Sequence, residues 1–388
     1  MNIPVARLAV PIALGAALLL VGCTTPGTAP TTVPPAEPTG DTGTPAAVAE
    51  AIALVDQYSV VPGPKQVAPL VASPPTDISI VYIGCPLPIC STVFEYISAA
   101  TSTLGWQSRE IVADFTPEAV QAAFDSALQL NPDGIEFIST MPREVISEQL
   151  AKAQEAGIWV VSAGDATVTE AEVGPGTQLT GDTGSVADRH FLASLQAAMV
   201  IKEAAASGDS LDDVGYIYDP APSAYAVAYE VFAEQIEAAG GSVTPIEVNQ
   251  AGAGTTIPGE IVSFLQTHPN IKYLGIAHDS FLTGIPDAVL AANLPLPKVV
   301  GLDPAEENFE MIRDGRQFGS VLSDLRMLHW DVVDLFARVS VDTPEDQMNR
   351  LIQSSVIIVT KDNVEDAYDI RGGFPGVPDS YIAAWGKN

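Results

Sequence analysis

From Asp77 onward, short apolar runs alternate with longer segments that carry helix signals, and this rhythm constrains the fold more than any other feature. A strand followed by a crossover helix returns to the sheet parallel to the last strand, and the helices cover both faces. Ile78 to Ile83 reads as a buried strand, Ser91 to Leu104 as a helix stopped at Gly105, and Gln107 to Val112 as a second strand. At Thr116-Pro117 a capping hydroxyl precedes a proline whose fixed φ suits the first helical position. Gly134 to Ile138, Arg143 to Ala156 and Ile158 to Val161 continue as strand, helix and strand. After a long helical segment from Val186 to Ala206 the rhythm restarts. Val214 to Tyr218, Ser242 to Val248, Tyr273 to Ala277, Val299 to Leu302 and Phe318 to Leu322 read as strands. Ala224 to Ala239, Gly259 to Thr267, Ile285 to Ala292 and Ala305 to Asp314 are the helices between them, followed by Met327 to Val341. Short extended pieces follow from Ser355. One sheet of this many strands exceeds the usual limit of about ten, so the pattern predicts an α/β chain with two doubly wound, Rossmann-like lobes in tandem. The joins fall near Ala163, Thr180 to Ser185 and Leu322 to Arg326. The first lobe takes about residues 76–180 plus part of the C-terminal segment, and the second about 186–322.

The N-terminal end is of a different kind. Arg7 is the only charge ahead of a run from Leu8 to Gly22 that is almost entirely apolar. That run falls short of the roughly 20 apolar residues a bilayer crossing needs, which predicts a signal segment over residues 1–22. It closes on Leu20-Val21-Gly22-Cys23, which resembles the lipobox of bacterial lipoproteins. The resemblance implies cleavage before Cys23, a diacylglycerol on its sulfur, and a body held on the extracytoplasmic face of the cell membrane. An ordinary secretory signal ending beside an unrelated cysteine is the alternative. Residues 23–49 are rich in Thr, Pro, Gly and Ala with few large apolar residues, a composition too poor in burial to offset its ordering entropy, so they read as an extended tether.

Residues 50–388 form the body. With 47% hydrophobic and 17% charged residues, the chain can bury a large core. A formal charge of −31 argues against nucleic acid, whose binding depends on Lys and Arg neutralising phosphates, and against peripheral binding to anionic lipid. With Cys23 set aside, Cys85 and Cys90 remain, and in an oxidising compartment they can close a small loop around Pro86 and Pro88. A metal site is the weaker alternative, because no His or third Cys lies near in sequence.

Catalytic patterns are missing where strand–helix chains usually carry them. There is no G-x-S-x-G, H-E-x-x-H, G-x-x-x-x-G-K-[ST] or EF-hand loop. Gly174-x-Gly176 and Gly252-x-Gly254 lack the third glycine and the preceding strand of a dinucleotide loop. His190, His268, His278 and His329 are scattered without metal-ligand spacing, and no carboxylate pair stands out for glycoside hydrolysis. The expectation is a binding protein with no catalytic residue, metal or cofactor.

A series of soft motifs in order resembles the type 1 periplasmic binding proteins, in the branch of ribose- and other sugar-binding receptors of ABC importers. The residues are the first strand and proline-containing loop of Ile78 to Ile89, Asn131-Pro132-Asp133-Gly134-Ile135, and Ala156-Gly157-Ile158-Trp159-Val160-Val161. His268-Pro269-Asn270-Ile271-Lys272-Tyr273-Leu274, His278-Asp279, Val300-Gly301-Leu302-Asp303 and Asp314-Gly315 continue the series, so the resemblance spans nearly all of Asp77 to Val341. It implies a hinge of usually three crossovers, a small solute held in the cleft at the strand C-termini, and an importer permease that reads lobe closure.

On that pattern the ligand-contact candidates are Asp303, Asp165, Asp182, His278, Asp279, Tyr225, Leu87, Ile89 and Ser323. Asp303 keeps the family's carboxylate position, with capping of the next helix as its competing role. The rest departs from the ribose pattern: Leu87 stands where the ribose-type loop has Asn, and Ile89 and Cys90 where it has aromatics. His278 replaces an Asn, Ser323 a Gln and Gly164-Asp165 an Asp-Arg pair, and the arginine expected around Tyr225 is missing. Asp165 and Asp182 compete with roles as turn formers, Asp279 with capping, and Tyr225 with packing. Trp330 and Trp385 read as core or surface anchors, and Asp324-Leu325-Arg326 as a hinge, an ion pair or both. The expected ligand is a sugar or sugar-like polyol. A sensor reporting to a membrane kinase and a cell-surface hydrolase are the alternative functions.

Overall fold

Residues 46–387 are described by the computed structural model; the expected signal segment, Cys23 and the tether up to residue 45 lie outside the described residues. The tether expectation is corrected at its end. Helix α1 (Ala46–Tyr58) begins at Ala46 and buries Ala51 and Val55, four residues apart on one face. The first lobe then follows as β1 (Ser79–Gly84), α2 (Pro88–Leu104), β2 (Gln107–Val112), α3 (Pro117–Gln129), β3 (Gly134–Ile138), α4 (Ser147–Ala156), β4 (Trp159–Ala163) and β5 (Gly181–Thr183). The cap predicted at Thr116 is present: its Oγ1 accepts from the Ala119 amide at 3.2 Å, with Pro117 in the first helical position.

The second lobe is α5 (Val186–Ser207), β6 (Val214–Tyr218), α6 (Ser223–Ala238), β7 (Val243–Glu247), α7 (Ile257–Thr267), β8 (Tyr273–Ile276), α8 (Ile285–Ala291), β9 (Lys298–Leu302), α9 (Glu306–Asp314) and β10 (Gly319–Ser323). The chain closes with α10 (Leu325–Ser340), β11 (Leu351–Ile352), β12 (Val356–Thr360), α11 (Val364–Ile370) and α12 (Asp379–Ala384). The two sheets have the orders β2-β1-β3-β4-β5-β11 and β7-β6-β8-β9-β10-β12. Each places its first strand inside and reverses direction between β1 and β3, or between β6 and β8, as doubly wound sheets do. All pairings are parallel except β10 with β12.

Both faces of each sheet are covered. In β1, Ile80 and Tyr82 face α2 and α10, while Val81 and Ile83 join the core under α3 and α4, the alternation a pleated strand imposes. Helix α5 lies in the core of the second lobe through Leu192, Leu195, Met199 and Val200.

The chain passes between lobes after β5, after β10 and between β11 and β12. The join expected near Ala163 is corrected: β4 and β5 on either side of it pair in the same sheet, and the third crossing lies between Ile352 and Val356 instead. Carboxylates tie these crossings together. Asp324 accepts from the Met327 amide at 2.8 Å, capping α10, and from the Phe374 amide at 2.6 Å. Asp188 accepts from the Ser354 amide at 2.8 Å and its hydroxyl at 3.0 Å. The Asp324–Leu325–Arg326 segment thus lies at a crossing between the lobes; Arg326 donates to the Val377 carbonyl at 2.8 Å instead of pairing with Asp324. Two further passages occur at the ends. Between α1 and β1 the chain runs onto the first lobe, where Lys65 pairs with Asp331 at 2.9 Å, and after α11 it returns to bury Tyr381 and Trp385 there. Trp330 and Trp385 stack at 5.4 Å in this core. Among the described residues no helix is long and apolar enough to cross a membrane.

Candidate functional site: a cavity between the lobes

The C-terminal ends of both sets of parallel strands point into the gap between the lobes, where doubly wound folds hold their ligands. The gap contains a cavity of about 130 Å³ lined from both sides. A bond across it holds the lobes together: the Ala166 amide of the first lobe donates to Ser223 Oγ of the second at 3.1 Å, and that hydroxyl donates to Asp165 Oδ1 at 3.3 Å.

The loop between β1 and α2 forms an apolar wall. Cys85 and Cys90 are joined by a disulfide, with Cα atoms 5.5 Å apart, and Leu87, Ile89, Val93 and Phe115 line the cavity beside them. Leu87 occupies the N-cap of α2 and makes no side-chain capping bond there. Leucine is among the poorest residues for that position.

The second lobe supplies polar groups. Gln250, only 3% exposed, lines the cavity, and its Nε2 has no hydrogen-bond partner. Its main chain is fixed by Asp219, which accepts from the Gln250 amide at 2.8 Å and the Ala221 amide at 2.9 Å. Arg189 enters from the first turn of α5, and its Nε is likewise buried without a partner. Its guanidinium packs so closely on Gly184 (φ +90°) that a Cβ there would lie 2.6 Å from Nη2. At His278, Nδ1 accepts from the Ser280 amide at 3.1 Å, and burial holds the ring's pKa below its ordinary value. The neutral ring therefore carries its proton on Nε2 and can donate. Burial pushes the Tyr225 hydroxyl up to about 12, so it stays protonated, and the ring packs edge-on against Phe281 at 5.6 Å.

Asp303 sits at φ +58°, a left-handed conformation that Asp tolerates better than most side chains. Its Oδ1 accepts from the Ser323 amide at 3.2 Å, and it makes no capping bond to α9, whose N-cap Ala305 has no side-chain cap. The carboxylate lines the cavity.

Of the residues expected to meet ligand, the structure brings Leu87, Ile89, Tyr225, His278 and Asp303 together on the cavity. Four do not line it, and these are corrections. Asp165 is 2% exposed and turns to Thr167, whose hydroxyl donates to it at 2.6 Å, and to Arg143 at 3.5 Å. Asp182 is fully buried in β5, where Ser162 Oγ of β4 donates to it at 2.5 Å. Burial pushes its carboxyl up to about 8, with Asp165 adding to the rise and Ser162 and Arg189 opposing it. Asp279 points into the second lobe, held by Gln317 Nε2 at 3.0 Å, and burial pushes it up to about 7. Ser323, 3% exposed, contributes its amide to Asp303 while its own hydroxyl is buried in the hinge. The carboxylates are taken up by protein neighbours, Asp165 partly by Ser223 across the gap, and none of the four residues lines the cavity.

Gln250 and Arg189 were not anticipated. Gln250 comes three residues after the end of β7, a position that could have marked it; nothing about Arg189 in the sequence distinguishes a cavity residue from a surface one. His329 also lines the cavity, with Nδ1 2.5 Å from the buried Glu136 Oε1, so two histidines far apart in sequence face the same space. Among the described residues no group of three or more His, Cys, Asp or Glu is placed to hold a metal ion.

No protein-family model matches the chain, and no curated protein does. Many solved structures share its fold. An ABC transporter solute-binding protein from Agrobacterium vitis bound with α-D-tagatopyranose is 18% identical, covers 76% of this chain and 99% of its own, and superposes with a TM-score of 0.63. A Mycobacterium smegmatis protein in complex with β-D-fucofuranose is 18% identical over 80% of this chain and 97% of its own, with a TM-score of 0.64. A periplasmic solute-binding protein of an ABC transporter from Actinobacillus succinogenes 130z, with bound D-allose, is 14% identical over 75% of this chain and 100% of its own, with a TM-score of 0.64. The chain has the fold of the type 1 periplasmic binding proteins.

Proposed function

We propose that this chain is a solute receptor that captures a monosaccharide or sugar-like polyol by lobe closure and delivers it to an ABC importer. The observation that carries the reading is the interlobe cavity with unmatched buried donors at Gln250 and Arg189 and a carboxylate at Asp303. Buried polar groups are nearly always bonded, so groups left open on a cavity mark where a ligand's oxygens belong. A ligand touching both lobes favours the closed state over the open one, because only closure makes both sets of contacts. Sugars in three solved structures of the same fold support the ligand class. Binding without turnover is part of the proposal.

Lipid attachment at Cys23 completes the reading and rests on the lipobox-like sequence. A thermal-shift panel of sugars, polyols, nucleosides and amino acids tests the ligand class. A true ligand at a hundred times its Kd stabilises the fold by about 2.7 kcal/mol. Shifts confined to nucleosides or amino acids would refute the sugar reading, and chemical change of a bound sugar, followed by NMR, would refute the absence of turnover. For the anchor, Cys23→Ser is expected to release the protein from the membrane fraction.

A further inference from the structure

The two walls of the cavity differ in a way that limits which sugar can fill it. On the first-lobe side, Leu87 and the Cys85–Cys90 bridge of the β1–α2 loop, Ile89 and Val93 of α2 and Phe115 after β2 form an apolar stretch whose side chains offer a ligand hydroxyl no good partner. Ser139, Thr140, Thr183 and His329 also line the cavity, so the apolar character belongs to this stretch and not to the whole lobe. The backbone adds little, since Pro86 and Pro88 have no N–H and the Cys90 amide is bonded to the Leu87 carbonyl at 3.0 Å. Across the cavity stand Gln250, Arg189, His278 and Asp303, two of them with donors that nothing in the protein satisfies.

Building on the sugar-receptor reading, we propose that the ligand is a monosaccharide with one hydrocarbon edge, a deoxy or O-methyl sugar. That edge lies against Leu87, Ile89 and the disulfide, and its oxygens face Gln250, Arg189, His278 and Asp303. A fully hydroxylated sugar in the same pose would bury a hydroxyl where no acceptor or donor meets it, which costs affinity. Leu87 is the residue that sets this preference. It sits where α2 calls for a capping side chain and makes no cap, so the helix forgoes local stability to keep the wall apolar. The bridge between Cys85 and Cys90 on either side holds Leu87 in place.

Calorimetry on the full chain with matched pairs tests this: D-fucose against D-galactose, L-rhamnose against L-mannose, and methyl ethers against their parent sugars. In at least one pair the deoxy or methylated member is expected to bind about tenfold tighter or better. Leu87→Asn is expected to raise the melting temperature of the free protein, because Asn caps α2, and to shift the ratio toward the hydroxylated member. A hydroxylated member that binds as tightly as, or tighter than, its partner in every pair overturns this inference and leaves the sugar reading standing. Binding of no sugar at all overturns both. An unchanged ratio in a folded Leu87→Asn protein refutes the role given to Leu87.

Discussion

Replacing Gln250 with methionine separates a ligand contact from a structural one, because the two predict opposite changes in the free protein. The side chain is 3% exposed and its Nε2 bonds to no protein group, so removing the donor breaks no bond within the fold and takes away a group whose burial unpaired would cost about 1–3 kcal/mol. Methionine has a similar length and no donor, and such volume-conserving swaps cost under about 1.5 kcal/mol. The loop keeps its anchor, since Asp219 holds the backbone amide of residue 250 and not its side chain. The free variant should therefore range from unchanged to about 2 kcal/mol more stable, a rise of a few degrees in Tm at roughly 2–4 °C per kcal/mol. Binding should move the other way. Loss of one ligand hydrogen bond, with the ligand oxygen left unpaired, weakens Kd about tenfold or more. At a ligand concentration a hundred times the wild-type Kd, the stabilisation would fall from about 2.7 to about 1.4 kcal/mol. Differential scanning calorimetry without ligand and isothermal calorimetry with it read both quantities. A variant less stable when free, with unaltered Kd, would refute the assignment of Gln250 to the ligand.

Three further outcomes follow from the same geometry. The Asp182 carboxyl is raised to about 8 when folded against about 3.9 when unfolded, so its contribution is full below about pH 4 and is lost as pH rises through about 8. Asp182→Asn should gain stability relative to wild type between denaturant titrations at pH 5 and pH 9; an equal loss at both would show that the carboxyl is charged in the fold. The Cys85–Cys90 bridge closes a loop of sequence separation 5, and its replacement by two serines should cost about 2 kcal/mol of stability and weaken ligand binding by loosening Leu87 and Ile89. Undiminished affinity in that variant, measured by calorimetry, would remove the loop from the site. Trp385, 2% exposed, stacks on Trp330 and donates to Asp334 Oδ1 at 2.7 Å, so Trp385→Ala should destabilise the first lobe by about 3–5 kcal/mol in urea unfolding. A loss under about 1 kcal/mol would mean that the C-terminal helix is not integral to that lobe.

Local chemistry is what made the fold readable. Apolar runs such as Ile78 to Ile83, the Thr116-Pro117 start and the Gly105 stop each act over a few residues, and strand–helix alternation then admits few topologies. The same locality explains where the reading failed. Ala46 to Tyr58 is helical because Ala51 and Val55 find a partner surface on the second lobe, and the preceding Thr- and Pro-rich composition carries no sign of that surface. Position after a strand end brought His278 and Asp303 to the cavity, but it applied equally to Asp165 and Asp279, whose carboxylates are taken up by protein partners and do not line it.

By itself, then, the sequence determined a parallel α/β chain in two lobes, since periodicity and turn chemistry are properties of neighbouring residues. Which side chains converge was decided only in three dimensions. Leu87, Asp303, Arg189 and Gln250 line one cavity across intervals that no local pattern spans, and whether a buried donor such as Gln250 Nε2 finds a partner depends on every element packed around it.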